Sequence, residues 1–438
     1  EQNAAKQALE AVNQGIESIK SLLPPPPEKK PAWGKGGKGK GKGGPPPPPP
    51  APSGEAAAEV QRRKREQVER EKREALEAIA RAKELEARRR DLEARLPALR
   101  SHDIAAVPWD AVLLGTHLSG GKGTAGFSGF GGLDTGGGGG VDVVELPGGT
   151  AVCVRNGACI VTEVIADALA AALDVRVARM RLVRGDSDEG RAIKKASKLW
   201  GPLEIEKEMA NVEKRLESMD AETAAKVRAM MNGSAACAVL EFVPGVSLDA
   251  AVAALEAPPP GLLAGLGRLC ALDLLLNNMD RLPLPCWTSA GNLTNAIVTA
   301  DGELVGIDQQ VNRIEPGPSL DAYLGKVREL SAEVLSGRSP SVSACISAAV
   351  RRHHGVELSE ASAERVVEAM AAVLRKAALE AQTGGLQGAL AAAAARVGEA
   401  GFDRPGYATL VDARGIAAEA VTFVQQVVAT VVEVAEGR

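Results

Sequence analysis

From residue 141 onward the apolar positions keep two different periods, and each period predicts its own kind of element. Residues 141–146 and 150–155 are short runs rich in β-branched side chains separated by Pro147-Gly148-Gly149, so they predict two strands and a turn. Residues 160–173 carry apolar side chains at helical spacing, 179–183 return to strand character, and 238–243 predict a strand entering a Pro244-Gly245 turn. The charged segment 186–231 is helical, with Leu203, Ile205, Met209, Val212 and Leu216 at the spacing of a core face. An apolar helix containing Leu272, Leu274, Leu275 and Leu276 stops at Asn277-Asn278. Beyond a Pro-rich loop, residues 296–299 and 304–307 flank Ala300-Asp301-Gly302-Glu303, where Asp-Gly favours the positive backbone angles of a tight hairpin turn. Residues 319–337, 341–354, 359–382, 385–397 and 415–434 predict successive helices, the last strongly apolar. Strands first and helices last make the fold class α+β.

The first hundred residues read differently. Residues 1–23 set Leu9, Val12, Ile16, Ile19 and Leu22 at three- and four-residue spacings, a short amphipathic helix that Pro24 ends. Residues 24–54 hold a Gly/Lys tract between two proline runs, a composition that cannot bury a core and predicts polyproline II flanked by coil. Residues 24–50 are either a ligand for a proline-recognising partner or a solvated spacer, the preferred reading. Residues 55–100 lack Gly and Pro until Pro97 and predict one long charged helix. Leu85, Leu92 and Leu99 repeat every seven, with Leu96 between, which leaves a coiled coil open beside a solvent-exposed helix.

The candidate chemistry sits at the mouth of the hairpin. Asn295 lies just before its first strand and Asp308 just after its second, 308 − 295 = 13 residues apart, with Asp280 upstream. Phosphoryl transfer needs one carboxylate to orient a hydroxyl, and an Asn and a second Asp to hold magnesium against the phosphate charge. Asn295 or Asp308 alone also reads as a turn cap. The three in this order point to the chemistry.

At NNMDRLPLPCW (277–287), GNLTNAI (291–297) and LVGIDQQVNRI (304–314) the sequence resembles the catalytic domain of actin-fragmin kinase, an atypical protein-kinase-like family distantly similar to the phosphoinositide kinases. The resemblance implies a two-lobed, protein-kinase-like fold, with a β-rich N-lobe and hinge over 105–245 and a helical C-lobe over 246–438. It implies a Ser/Thr protein kinase using ATP and Mg2+, with Asp280 as general base and Asn295 and Asp308 as metal ligands. Asp308 then stands for the first residue of Asp-Phe-Gly, and Gln309 for its Phe. Residues 127–133 become the first strand, Gly136, Gly137, Gly138, Gly139 and Gly140 the loop over the phosphates, and Glu241 and Val243 part of the hinge that binds adenine through its backbone. The third strand should end in a lysine, and Arg155 stands there, with Glu163 as its helix partner and Lys122 nearby. Arg and Lys are not interchangeable at a tight site. A weak or dead kinase serving as a nucleotide-binding scaffold therefore stays open, as does a small-molecule or lipid kinase. Asp280 and Asn295 are 295 − 280 = 15 residues apart, against roughly five in H-R-D-x-x-x-x-N, so the Pro-rich insert is expected to fold outward. The family name implies actin or an actin-binding protein as substrate.

Composition narrows the alternatives. A net charge of −4 argues against wholesale nucleic-acid binding. Six scattered cysteines without a C-x-x-C pair suit reduced thiols in a cytoplasmic protein. His353-His354 has no carboxylate or cysteine at ligand spacing and reads as a surface or capping pair. No run of 18 uncharged apolar residues is present, so no membrane span is expected. Residues 1–20 lack the apolar core of a signal peptide. Residue 1 is Glu and not Met, which leaves a leader ahead of it open.

Overall fold

The computed structural model describes residues 90–118, 141–155, 160–196, 236–251, 260–289, 291–354, 358–400 and 413–438, with scattered helical positions between 62 and 88. The expected helix over 1–23, the tract over 24–54, residues 127–133 and most of 186–231 lie outside them. The chain divides into two units, Glu1–Ala87 and Arg88–Arg438. In the first, the described positions are helical and exposed, and Arg62 pairs with Glu66 one turn on at 4.0 Å. An exposed pair of this kind contributes under about 1 kcal/mol.

The second unit carries two sheets among its described residues. β2 (Leu114–Leu118), β3 (Val141–Leu146), β4 (Thr150–Arg155), β5 (Met180–Arg184) and β6 (Ala236–Glu241) are antiparallel in the order β2-β3-β4-β6-β5, and β1 (Arg100–Ser101) pairs parallel with the start of β4. β7 (Val246–Ser247), β8 (Ala296–Val298) and β9 (Leu304–Gly306) form the smaller, antiparallel sheet. One strand differs from expectation. Leu114–Leu118, with Leu118 opposite Val141, takes the place beside β3 that the resemblance assigns to residues 127–133. β4 covers the other edge of β3, so no third strand can pair with it. The glycine run and residues 127–133 fall within 119–140, outside the described residues.

The helices are α1 (Ile160–Ala172), α2 (Asp188–Ala196), α3 (Pro260–Leu276), α4 (Pro318–Leu335), α5 (Pro340–His354), α6 (Glu360–Thr383), α7 (Gly385–Glu399) and α8 (Ala413–Ala435). α6 shows a local cause at both of its boundaries: it starts after Ser359, whose hydroxyl accepts from Ser362 N–H, and stops at Gly384 with φ +81°. α3 is apolar over most of its surface, Arg268 and Asp273 being its charged positions, and accordingly sits inside the helical core, packed along α6. α8 is long and apolar enough to cross a membrane by length and composition. Here its stripe of Ala417, Ala420, Phe423, Val424, Val427, Val428 and Val431 is buried in that same core, with Phe423 stacked on Tyr323 at 6.0 Å.

The seven-residue leucine repeat has an intramolecular partner. Leu92, Leu96 and Leu99 pack on Leu114, Val143, Ala151, Cys153 and Phe242 of the sheet and the segment after it. Arg95 forks onto Glu145, reaching Oε2 at 3.1 Å, and Arg100 N–H donates to Gly149 O at 3.0 Å. These three leucines therefore do not face a second helix. Among the described cysteines, Cys153, Cys237, Cys270, Cys286 and Cys345 are free thiols, and burial pushes Cys237 and Cys286 up to about 12.

Leu96 is only 1 % exposed. Leu96→Ala should cost about 2–5 kcal/mol in urea unfolding, the range for a buried Leu-to-Ala cavity, while far-UV helicity stays unchanged on dilution. Loss of helicity on dilution with no stability change would instead assign the leucines to a dimer seam.

Candidate functional site

The site is built from the end of α3, the loop after it and the β8–β9 hairpin. α3 ends at Asn277, whose φ of +53° turns the chain out of the helix. Asn277 Nδ2 donates to Asn312 O at 2.7 Å, Asn312 Nδ2 to Asn277 O at 3.2 Å, and Trp287 Nε1 to Asn277 Oδ1 at 2.9 Å. The helix end is thereby sewn to the chain beyond Asp308. Asn292 N–H donates to Arg281 O at 3.0 Å, so the insert closes at its base. It does not fold outward as expected: Leu282, Leu284 and Cys286 are buried in the helical core, because apolar side chains draw the loop in. Closure brings Asn295 to Asp280, where its Nδ2 donates to the main-chain O at 2.8 Å and to Oδ2 at 3.1 Å. The hairpin turns at Gly302, φ +81°, with Thr299 N–H on Glu303 O at 2.9 Å.

Arg155 joins the larger sheet to this hairpin. From the end of β4 its Nη1 lies 2.7 Å from Glu163 Oε1 on α1 and 2.5 Å from Asp308 Oδ1. The three side chains are 8 %, 2 % and 10 % exposed, so the contact is made almost out of water. Asp308 holds φ +59°, a left-handed conformation that few non-glycine residues adopt. Asp280 is half-buried; burial and the neighbouring Asp308 carboxylate raise its pKa, against the pull of Asn295 and Arg281. A raised carboxylate is the direction a general base needs.

The sequence-predicted residues Arg155, Glu163, Asp280, Asn295 and Asp308 thus come together. Gly136, Gly137, Gly138, Gly139, Gly140 and Lys122 lie outside the described residues. Glu241 N–H donates to Arg179 O at 2.8 Å, and its carboxylate takes Arg176 at 2.7 and 2.9 Å and Arg179 at 3.3 Å. Its N–H and side chain are thus committed within the protein, so a hinge contact to adenine would fall to its main-chain carbonyl. Val243 is buried against Ala178, Ile297, Val305 and Ile307.

Sequence reasoning missed Asp273, Asn278 and Arg281. Asp273 and Arg281 are both 0 % exposed and pair at 2.9 Å, with Asn278 Nδ2 donating to the same Asp273 oxygen at 3.0 Å. Burial pushes the Asp273 carboxyl up to about 7, with Arg281 and Asn278 pulling it back. A signal existed: a carboxylate inside the apolar run Leu272–Leu276 needs a buried partner, and the next cation along the chain is Arg281.

The local charge fits a shared divalent cation. Glu163, Asp280 and Asp308 meet one guanidinium, Arg155, while Arg281 is matched by Asp273, so 3 − 1 = 2 negative charges remain in excess. Asp308 and Asn295 supply hard oxygens. Magnesium characteristically takes one or two protein oxygens and completes its shell with phosphate and water. An all-protein cage is a different arrangement, and among the described residues no three His, Cys, Asp or Glu side chains converge on a metal position.

Residues 135–313 match the family model of the actin-fragmin kinase catalytic domain. The match supports the family read from the motifs over a span that contains every candidate from Gly136 to Asp308, and that span is similar to a kinase-like phosphotransferase domain. It is narrower than the body expected over 105–438, and α4–α8 lie beyond it. A search of curated proteins gives no match.

Arg155→Met should cost about 3–5 kcal/mol in urea unfolding, because it leaves Glu163 and Asp308 buried without their cation. Arg155→Lys should cost less than half as much. Equal effects of the two would show that packing, and not charge, sets the role of this side chain.

Proposed function

We propose that residues 105–438 form a two-lobed, protein-kinase-like body that transfers the γ-phosphate of ATP to a Ser or Thr hydroxyl of a protein. The observation that carries this reading is the meeting of Asp280, Asn295 and Asp308 with the Arg155–Glu163 pair, which reaches across 153 residues of sequence to Asp308. Asp280 accepts or orients the proton of the attacking hydroxyl. Asn295, by donating to Asp280 Oδ2, holds that carboxylate in one orientation and turns its own amide oxygen elsewhere. That oxygen and Asp308 would hold Mg2+, which when bound with ATP neutralises charge developing on the phosphates. Arg155 presents a fixed positive charge beside Asp308, in reach of the phosphate side of such a site. The glycine run 136–140 fits the cover over the phosphates, since backbone without side chains can approach them closely. Actin or an actin-binding protein as substrate rests on the family name, and cytoplasmic location on the free thiols.

One observation favours a second reading. A guanidinium already bonded to Glu163 and Asp308 takes up an Asp308 oxygen that a metal would use. That supports a scaffold that binds nucleotide and turns it over weakly or not at all.

Transfer from labelled ATP to a protein mixture separates the two. The kinase reading expects Mg2+-dependent labelling that Asp280→Asn lowers by about 10²–10⁴, the range for loss of a general base, and that Asp308→Asn abolishes. No labelling by the wild type, with a gain in Arg155→Lys, would establish the scaffold. Phosphate appearing on a small molecule or lipid in the same assay, with none on protein, would move the activity to those kinase classes.

A further inference from the structure

The fully buried Arg281 guanidinium is bonded to the backbone at two of the site's positions. Its main chain is bonded directly to Asp280. Its Nε donates to Asn295 O at 3.1 Å, its Nη2 to Ile307 O at 3.0 Å and its Nη1 to Asp273 Oδ1 at 2.9 Å. Asn295 O also receives Ile307 N–H at 3.0 Å. The Ile307 carbonyl belongs to the peptide that precedes Asp308, and the left-handed φ of Asp308 is a rotation measured from that peptide plane. Fixing the carbonyl therefore fixes the direction in which the Asp308 carboxylate leaves the chain. Space for the guanidinium comes from Gly306: a Cβ there would stand 3.2 Å from Arg281 Cζ and Nη1 and 2.8 Å from Leu269 Cδ2. Asn278 Nδ2, sharing Asp273 Oδ1, holds the far end.

We propose that Arg281 is a positioning residue of this site: one planar fork, anchored on Asp273, sets Asp280, Asn295 and Asp308 relative to one another. The inference rests on the phosphotransfer reading for the meaning of those three residues and on the hydrogen bonds alone for the clamp. A planar fork is required, because three acceptors lie in three directions around it. Lysine in its place carries the charge as a compact ammonium on a flexible stem and cannot hold the same rigid geometry.

Two variants test this: Arg281→Lys, and Gly306→Ala, whose methyl crowds the guanidinium at 3.2 Å and Leu269 at 2.8 Å while every site residue keeps its identity. Each is assayed for phosphate transfer and for Mg2+-dependent binding of a fluorescent, non-hydrolysable ATP analogue. The expected result is a fall in kcat of about 30-fold or more, as sub-ångström to ångström misplacement of reacting groups produces. KM for ATP should stay within about threefold, and the Mg2+ needed for half-maximal analogue binding should rise about tenfold, since nucleotide contacts on the larger sheet are untouched and the metal oxygens are not. Wild-type kcat and Mg2+ requirement in both variants would overturn the proposal. So would kcat and KM deteriorating together with a lower unfolding midpoint, which is the mark of a residue that only supports the core. If the wild type binds the analogue but transfers nothing, the kinase reading fails by itself. The Mg2+ requirement then decides the clamp, a tenfold rise in the variants upholding it and no change refuting it. No analogue binding by any form would remove both.

Discussion

A single buried cation, Arg155, ties the larger sheet to the hairpin that follows the apolar helix. Its two carboxylate partners come from elements far apart in sequence, Glu163 from the first helix after β4 and Asp308 from beyond β9, which the backbone bonds between residues 176–178 and Gly306 also hold near each other. In a low-dielectric setting neither carboxylate is tolerable alone, so Arg155 fixes where α1 and the hairpin mouth lie relative to the end of β4. Because one positive charge answers two negative ones, and Asp280 adds a third nearby, the arrangement stays short of positive charge. Burial, with the neighbouring Asp308 carboxylate adding to it, raises Asp280.

A second buried pair deals with backbone strain. Holding Asp308 in the left-handed region costs on the order of 1–2 kcal/mol, and such a residue persists only where its surroundings over-determine it. Arg281 contributes charge-assisted hydrogen bonds to the carbonyls of residues 295 and 307, and Asp273 keeps the guanidinium neutralised inside the core. Breaking such a pair by removing one partner is far more costly than never having built it. The ion pair reads better as a device for one geometry than as a source of stability.

Legibility in the sequence follows how local each interaction is. The β8–β9 hairpin is set by Asp301-Gly302 and the C-terminal helices by 3.6-residue apolar spacing, so both are plain in the order of residues alone. The strand beside β3 is easily misplaced because a glycine-rich connection as long as 119–140 makes the nearest apolar run look like the partner, when register with Val141 selects Leu118. The proline content of 283–285 reads as an outward loop, yet Leu282, Leu284 and Cys286 outweigh it by finding room in the core. Asp280, Asn295 and Asp308 are recognisable by type and order. Asp273 and Arg281 leave a fainter trace: a carboxylate within a leucine run requires some buried partner and Arg281 is the next cation, but residue order does not reveal that this guanidinium also reaches the carbonyls of residues 295 and 307.

The leucine arm is the clearest case of one period serving a different partner. Seven-residue spacing puts Leu92 and Leu99 on one side of a helix whether that side meets another helix or a sheet. What decides is the available surface. Alternation along β4 sends Ala151, Cys153 and Arg155 to one face and Val152 and Val154 to the other. The leucines cover Ala151 and Cys153, whereas Val152 and Val154 pack with Ile104, Trp109 and Ile193. Arg155 therefore leaves the sheet from the same face that the arm covers, two residues from Cys153. A strand cannot shift one side chain of a face without moving its neighbours two residues away, so the helix end and the Arg155 contact are coupled through a single rigid element. The second compact unit accordingly begins at Arg88, within the charged helix and ahead of its last leucines.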